Sequence, residues 1–268
     1  MKPLFKWAGS KQRMLKQYAS IWHPLTVDNY VDMFAGGLTN TLEIAKTFPN
    51  AAIHINDKNT ELIQLYSQLA NNCEQVVNDW KTCVNLWLAN TDIAARKAAY
   101  YDMREAYVAK QTPGVLLFML SVNFNGMWKT YKKCNYLYST PPGTCLQGSS
   151  FFNEQNIRDV ADLLSTCTIT DKSFEQLTLP ASSFVYADPP YRDSIVNYQG
   201  GFGEEQQVLL AERLMYSGCQ FAYSNKDIHD GFFSEHFPGC TVTQCSATYT
   251  AGRGTSTNTV SEVLVTNF

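Results

Sequence analysis

The grouping with the clearest chemistry is Asp188-Pro189-Pro190-Tyr191, placed directly after the apolar run from Phe184 to Ala187. A carboxylate, a carbonyl on a stiff backbone and an aromatic ring meet there at the end of one predicted strand. Pro190 biases Pro189 towards an extended conformation, and neither proline has an N–H to donate. The Pro189 carbonyl can therefore project as a fixed acceptor beside the Asp188 carboxylate. Two acceptors match the two hydrogens of a planar exocyclic amine, and Tyr191 offers a face for stacking on a base. Asp-Pro is also ordinary turn chemistry after a buried strand, so the grouping needs support from the rest of the chain.

A second grouping provides it. Phe34-Ala35-Gly36-Gly37 follows a predicted strand, Tyr30 to Phe34, and precedes a helix capped by Thr39 or Asn40 and running to about Lys46. Backbone N–H groups and the positive end of a helix favour a ligand at such a turn. Asp57 closes a second strand, Ala52 to Asn56, twenty residues after Gly37. Doubly wound folds place an acid against a ribose hydroxyl pair at that distance. Asp57 is equally suited to capping the next helix. Both groupings fall on the carboxyl edge of one predicted sheet, where open α/β sheets bind ligands.

The elements that must hold these residues alternate in type. Leu62, Leu65, Tyr66, Leu69, Cys73 and Val76 share one helical face, and residues 80–123 read as helices without a strand. Within that stretch Pro113 leads into a fully apolar helix, Val115 to Leu120. Residues 124–150 mix Gly, Pro, Ser and Asn with aromatics and lysines and read as a long loop or ragged hairpin. Afterwards come a helix near 154–165, strands Thr168 to Thr170 and Phe184 to Ala187, and a helix from Glu204 to Tyr216. Strands Gln220 to Ser224, Thr241 to Thr248 and Val260 to Thr266 complete the pattern, the last two joined by a polar loop over 250–257. Alternation of this kind implies an α/β fold with a mostly parallel sheet, and the terminal strand pair implies an antiparallel edge.

Composition narrows the setting. A chain of 268 residues with 45% hydrophobic and 13% aromatic residues can build a substantial core. The N-terminus has no sustained apolar run, so no secretory signal is expected, and no stretch is long enough to span a bilayer. Eight cysteines without a Cys-x-x-Cys pair, with only four histidines, predict reduced thiols and no structural zinc. The net charge of −3 is segregated: residues 1–27 and 127–150 hold eight of the 21 basic residues and none of the 24 acidic ones. That pattern is compatible with a local anion-binding surface on an acidic body, although solvated lysines produce the same count.

Four pieces, in order, resemble the Dam-type DNA adenine-N6 methyltransferases. They are Lys6-Trp7-Ala8-Gly9-Ser10-Lys11, Asp32-Met33-Phe34-Ala35-Gly36-Gly37, Asn125-Gly126 leading to Pro141-Pro142-Gly143, and Asp188-Pro189-Pro190-Tyr191. Ser173-Phe174, Ser224-Asn225-Lys226-Asp227 and Glu262-Val263-Leu264 are smaller matches. The resemblance covers essentially the whole chain. It implies a Rossmann-like, S-adenosylmethionine-dependent methyltransferase core over residues 1–65 and 153–268, with a helical target-recognition insertion over 66–152.

The resemblance also implies roles. Trp7 and Lys11 would hold the methionine end of the cofactor, and Phe34, Ala35, Gly36 and Gly37 would line it. Asp57 would bind the ribose, Phe174 would pack on the cofactor adenine, and Asp188 would border both cofactor and substrate. Asp188, Pro189, Pro190 and Tyr191 would form the catalytic turn. Lys6, Asn125, Lys129, Lys132, Lys133 and Pro141 would face DNA. Lys129 stands where better-known members carry arginine, and a point charge does not replace a bidentate fork on guanine. The implied partner is double-stranded DNA, with no metal and no membrane, acting as a monomer or weak dimer. The implied setting is the cytoplasm of a bacterium or virus-infected cell, with restriction-modification as a context. Cytosine N4 in DNA or an amino group in RNA are the alternative acceptors, since Asp-Pro-Pro-Tyr suits all of them.

Overall fold

A computed structural model describes residues 1–127, 140–143, 152–192, 202–250 and 257–268. The loop lysines Lys129, Lys132 and Lys133 and most of the 250–257 loop lie outside the described residues. The chain packs as two compact units. The first gathers Met1–Ser10, Gly36–Thr39 and Thr60–Ile169, and the second gathers Lys11–Ala35, Asn40–Asn59 and Thr170–Phe268.

The first unit is mainly helical. It contains α3 (Thr60–Ala89), α4 (Ile93–Lys110), α5 (Pro113–Val122) and α6 (Glu154–Leu164), with α3 packed against the other three. Local chemistry sets their ends. Asp92 caps α4 by accepting the Ala95 N–H at 2.9 Å, and Pro113 opens α5, where its missing N–H costs nothing. Every residue from Leu116 to Leu120 is buried, as an all-round apolar helix requires. Gly114 is where α5 meets α3: a Cβ there would lie 2.4 Å from the Val76 carbonyl oxygen.

The second unit is built on the sheet. Its strands are β1 (Asn29–Asp32), β2 (Ala52–Asn56), β3 (Thr168–Thr170), β4 (Phe184–Ala187), β5 (Gln220–Lys226), β6 (Thr241–Thr250) and β7 (Thr257–Thr266), with the unit division falling inside β3. The order is β3-β2-β1-β4-β5-β7-β6. β2, β1, β4 and β5 are mutually parallel, and β7 runs antiparallel to both β5 and β6. This is a Rossmann-like sheet, mostly parallel with an antiparallel edge. Strand order reverses between β1 and β4, which makes their carboxyl ends the topological switch point. β4 is buried at every residue and reads as a continuous apolar run, as expected of a strand covered on both faces.

Two further helices, α2 (Thr39–Thr47) and α7 (Glu204–Met215), come close to what the pattern predicts, and α1 (Leu15–Trp22) and α8 (Phe232–His236) were not anticipated. Val31, Val185, Phe221, Tyr223 and Val265 from the sheet form one core with Leu210 and Leu214 of α7. Among the described residues no helix is long and apolar enough to cross a membrane, and no group of His, Cys, Asp or Glu could hold a metal.

The α5–α3 contact yields a direct test. Gly114→Ala is expected to cost about 1–3 kcal/mol, because the new methyl meets backbone that cannot yield as a side chain would. A denaturation midpoint equal to that of the parent protein would show the two helices free to separate.

Candidate active site

β1 and β4 are adjacent and parallel, with Asp32 in register with Tyr186. Their two carboxylates, Asp32 and Asp188, therefore emerge at the switch point. Asp32 is 2% exposed and accepts from Thr41 Oγ1 at 2.7 Å and Tyr30 Oη at 3.2 Å. Both bonds go to its Oδ2, and Oδ1 is buried without a partner. Burial pushes the Asp32 carboxyl up to about 7, with the Asp188 charge adding to the rise and the Thr41 bond opposing it.

Asp188 is held from both ends of the chain. The Lys11 ammonium, 1% exposed, donates to Asp188 Oδ1 at 2.6 Å and Oδ2 at 2.7 Å, and to Tyr191 Oη at 2.5 Å. Ser224 of β5 donates to Asp188 Oδ1 at 2.9 Å, and its own hydroxyl pairs with Tyr186 Oη at 2.8 Å. Burial raises the Asp188 carboxyl, while Lys11 and Ser224 pull it back. Burial likewise raises the Tyr191 hydroxyl, with the charges of Asp188 and Glu262 adding to it. Tyr191 thus stays a neutral phenol.

Counting acceptors defines what the turn can hold. Asp188 Oδ1 takes two donors and Oδ2 one, so Oδ2 keeps a single unused position, and the side chain is 17% exposed. The Pro190 carbonyl accepts from Gln207 Nε2 at 2.8 Å, whereas no donor among the described residues reaches the Pro189 carbonyl. Among the described residues two acceptors remain, one on Asp188 and one on Pro189, beside a partly exposed Tyr191 ring. That is the donor-poor, acceptor-rich edge an NH₂ group requires.

The second unit also brings Phe34 and Phe174 together, with ring centroids 6.1 Å apart. Phe202 joins them at 5.7 Å from Phe34 and 5.5 Å from Phe174. Phe202 was not anticipated, and no motif marks it. Asp57 follows β2 and its Oδ1 accepts the Asn59 N–H at 2.9 Å, with its own N–H donating to the Thr170 carbonyl at 3.2 Å. Ala35 donates to the Asn56 carbonyl at 2.8 Å, which ties the β1 and β2 exits to each other.

The first unit assembles a different set. A Cβ on Gly36 would lie 2.9 Å from the Trp7 indole, and one on Gly37 would lie 2.8 Å from Trp7 Cβ. Gly36 also has φ +45°, and Leu38 just beyond has φ 62°, a conformation disfavoured for a branched side chain. The Gly-Gly pair is thus required by the tryptophan that packs on it. Lys6 and Gly126 are also neighbours: Ala8 N–H donates to the Gly126 carbonyl at 3.1 Å, and Gly126, at φ +69°, leaves no space for a Cβ against the Lys6 backbone. Pro141 joins them through its carbonyl, which accepts the Phe124 N–H at 3.0 Å. Phe124 is 40% exposed beside it, an aromatic that the sequence reading did not single out.

A family model described as D12 class N6 adenine-specific DNA methyltransferase matches residues 7–234. That span contains both glycines of the first turn and the whole Asp188–Tyr191 turn. The chain belongs to this family. It is a DNA adenine-N6 methyltransferase, and the cytosine and RNA alternatives are not favoured. Relatives agree across nearly the full length. The type II methyltransferase M.MjaIII of Methanocaldococcus jannaschii is 26% identical, covering 90% of this chain and 90% of its own. M1.LlaDCHI of Lactococcus lactis subsp. cremoris is 27% identical, covering 100% and 96%. The Retron Ec67 DNA adenine methylase of Escherichia coli is 27% identical, covering 85% and 78%.

The raised Asp32 carboxyl makes stability of this methyltransferase pH-dependent. The folded state holds the Asp32 proton up to about pH 7, whereas the unfolded chain releases it near the ordinary aspartate value of 3.8. Burying Asp32 therefore costs nothing below about pH 4, costs progressively more as pH rises, and levels off above about 7. Asp32→Asn removes this burden. Its melting temperature relative to the parent is expected to rise steadily from pH 5 to about 6.5 and to level off above about 7, the rise worth up to about 1.4 kcal/mol per pH unit. A constant difference between the two proteins over that range would exclude a buried, proton-holding Asp32.

Proposed function

We propose that the protein transfers a methyl group from S-adenosylmethionine to N6 of adenine within a short sequence of double-stranded DNA. The observation that carries this reading is the pair of unused acceptors, Asp188 Oδ2 and the Pro189 carbonyl, next to Tyr191.

The residues present fit the proposed cofactor. Phe34, Phe174 and Phe202 offer aromatic surface for its adenine, and Asp57 stands at a strand end suited to a ribose hydroxyl pair. Asp32 Oδ1 is a buried polar atom at the switch point without a partner among the described residues. S-adenosylmethionine, when bound, supplies an electrophilic methyl group on sulfur. In the first unit, Trp7 and the Gly36-Gly37 pair are assigned to the cofactor's methionine end. Lys6, Asn125 and Pro141 are assigned to DNA, within a recognition segment over 66–152, and Lys129, Lys132 and Lys133 are assigned to it as well. A target base inside a duplex must first be extruded from the stack.

The chemistry follows from adenine. Its N6 lone pair is delocalised into the ring, which makes the amine a poor nucleophile. Accepting one N–H on Asp188 and the other on Pro189 favours a pyramidal nitrogen with its lone pair directed out of the ring plane. Tyr191 stacks on the base and fixes that plane. The N–C bond then forms as the S–C bond breaks, and the resulting ammonium is acidic enough to lose its proton without a strong base. Lys11 suits this arrangement: bonded to both Asp188 oxygens, it opposes the rise that burial gives the carboxyl and occupies part of its basicity. Positioning and fixed dipoles supply most of the rate.

Incubation with methyl-labelled S-adenosylmethionine and unmethylated duplex DNA, followed by nucleoside digestion and methylation-sensitive sequencing, is expected to show N6-methyladenine in one short motif. N4-methylcytosine without N6-methyladenine would sink the reading. Asp188→Asn retains an acceptor for Lys11 and is expected to slow transfer about a hundredfold or more, with cofactor affinity within a few-fold of the parent. Undiminished transfer by this variant would remove the carboxylate from the chemistry.

A further inference from the structure

The catalytic turn has an anchoring problem. Pro189 and Pro190 have no N–H, so that dipeptide can be tied down only through its two carbonyls. If the Pro189 carbonyl faces the amine, the Pro190 carbonyl alone is left to hold the turn.

One side chain takes it, and its orientation is determined. Asn225 Oδ1 accepts two backbone donors, the N–H of Arg192 at 3.0 Å and that of Lys226 at 2.8 Å. Its Nδ2 must then be the donor, to Tyr223 Oη at 2.6 Å and Gln207 Oε1 at 3.1 Å. The Tyr223 hydroxyl donates in turn to Gln207 Oε1 at 2.8 Å. With its oxygen committed to two donors, Gln207 can direct only its NH₂ group at the Pro190 carbonyl, 2.8 Å away. Gln207, Tyr223 and Asn225 are 1%, 0% and 0% exposed. Beyond the turn, Arg192 is fastened by Asp230 Oδ1 at 2.9 Å and Glu204 Oε1 at 2.9 Å, and it stacks on Phe232 with its guanidinium carbon 4.0 Å from the ring centre.

We propose that Gln207 is a positioning residue for methyl transfer: its buried amide fixes the Pro190 carbonyl and so aims the Pro189 carbonyl at the substrate amine. Asn225 and Tyr223 act through it by setting which way the amide faces. This rests on the proposed function, since it assigns the Pro189 carbonyl to the amine. It extends that reading to a residue on α7 that touches neither base nor cofactor.

Gln207→Glu and Gln207→Met separate positioning from stability. A glutamate at this position keeps the acceptor for Tyr223 and Asn225 but donates to Pro190 only while protonated. Single-turnover methyl transfer by Gln207→Glu is expected to approach the parent rate at low pH. It should fall at least tenfold below the parent as the new carboxyl ionises, an added limb in the pH–rate profile. Gln207→Met is expected to be at least tenfold slow at every pH, with the Kd values for duplex DNA and cofactor within threefold of the parent. Leu214→Ala, a cavity in the same helix away from the turn, is expected to lower the melting temperature yet keep its rate within twofold. Rates for Gln207→Glu that follow the parent at all pH values would overturn the proposal, even if Gln207→Met did not fold. Rate losses that track melting temperature across all three variants would overturn it as well. Failure of the parent protein itself to methylate adenine would instead overturn the functional reading beneath it.

Discussion

The buried ion pair between Lys11 and Asp188 organises everything around it. Taking an ammonium and a carboxylate out of water costs several kcal/mol each, and the cost is recovered only with close pairing and further hydrogen bonds. Lys11 meets that demand with three oxygens within 2.7 Å. The pair ties the first residues of the second unit to the end of β4 and to the Tyr191 hydroxyl. It also opposes the rise that burial gives the Asp188 carboxyl, and it takes up positions on both carboxylate oxygens.

Much of this architecture was legible in the sequence because the central strands are short apolar runs closed by turn residues. β2, β3 and β4 have the bounds expected from the sequence, and the antiparallel terminal pair was visible in its spacing. The parts that escaped did so for physical reasons. Lys11 was singled out for the cofactor, but not its pairing with Asp188: it lies near Arg13 and Lys16 in a stretch that looks solvated, and that partner is 177 residues away. Gln207 sits in the run Glu204-Glu205-Gln206-Gln207, four polar residues on which no periodicity separates the buried one from the exposed ones. Ser224 stood in a recognised match, but its bond to Asp188 depends on β5 lying beside β4, a property of the strand order. Phe202 follows no motif and gains meaning only from its two aromatic neighbours.

Glycine does a particular kind of work in the first unit. Residues 6–8 are pressed against two separate glycine positions, Trp7 on Gly36-Gly37 and the Lys6–Ala8 backbone on Gly126. One tripeptide therefore sets the shape of both loops. A side chain at either place would move the tripeptide and, through it, the other loop. The compact units drawn by such packing need not coincide with functional segments, since α3 and α6 belong with the helices while the chain on either side of them feeds the sheet.

The placement of β7 between β5 and β6 has a consequence for biosynthesis. β6 is made first but cannot dock, because its only neighbour in the sheet is a strand still to be translated. Until then the β5 edge is open, and it carries the seven-residue run Gln220–Lys226 with an apolar, β-prone centre. Sheet closure must wait for the β6–β7 hairpin to insert as one piece, and in that interval a nascent chain offers its neighbours an unpaired edge of the kind that aggregates.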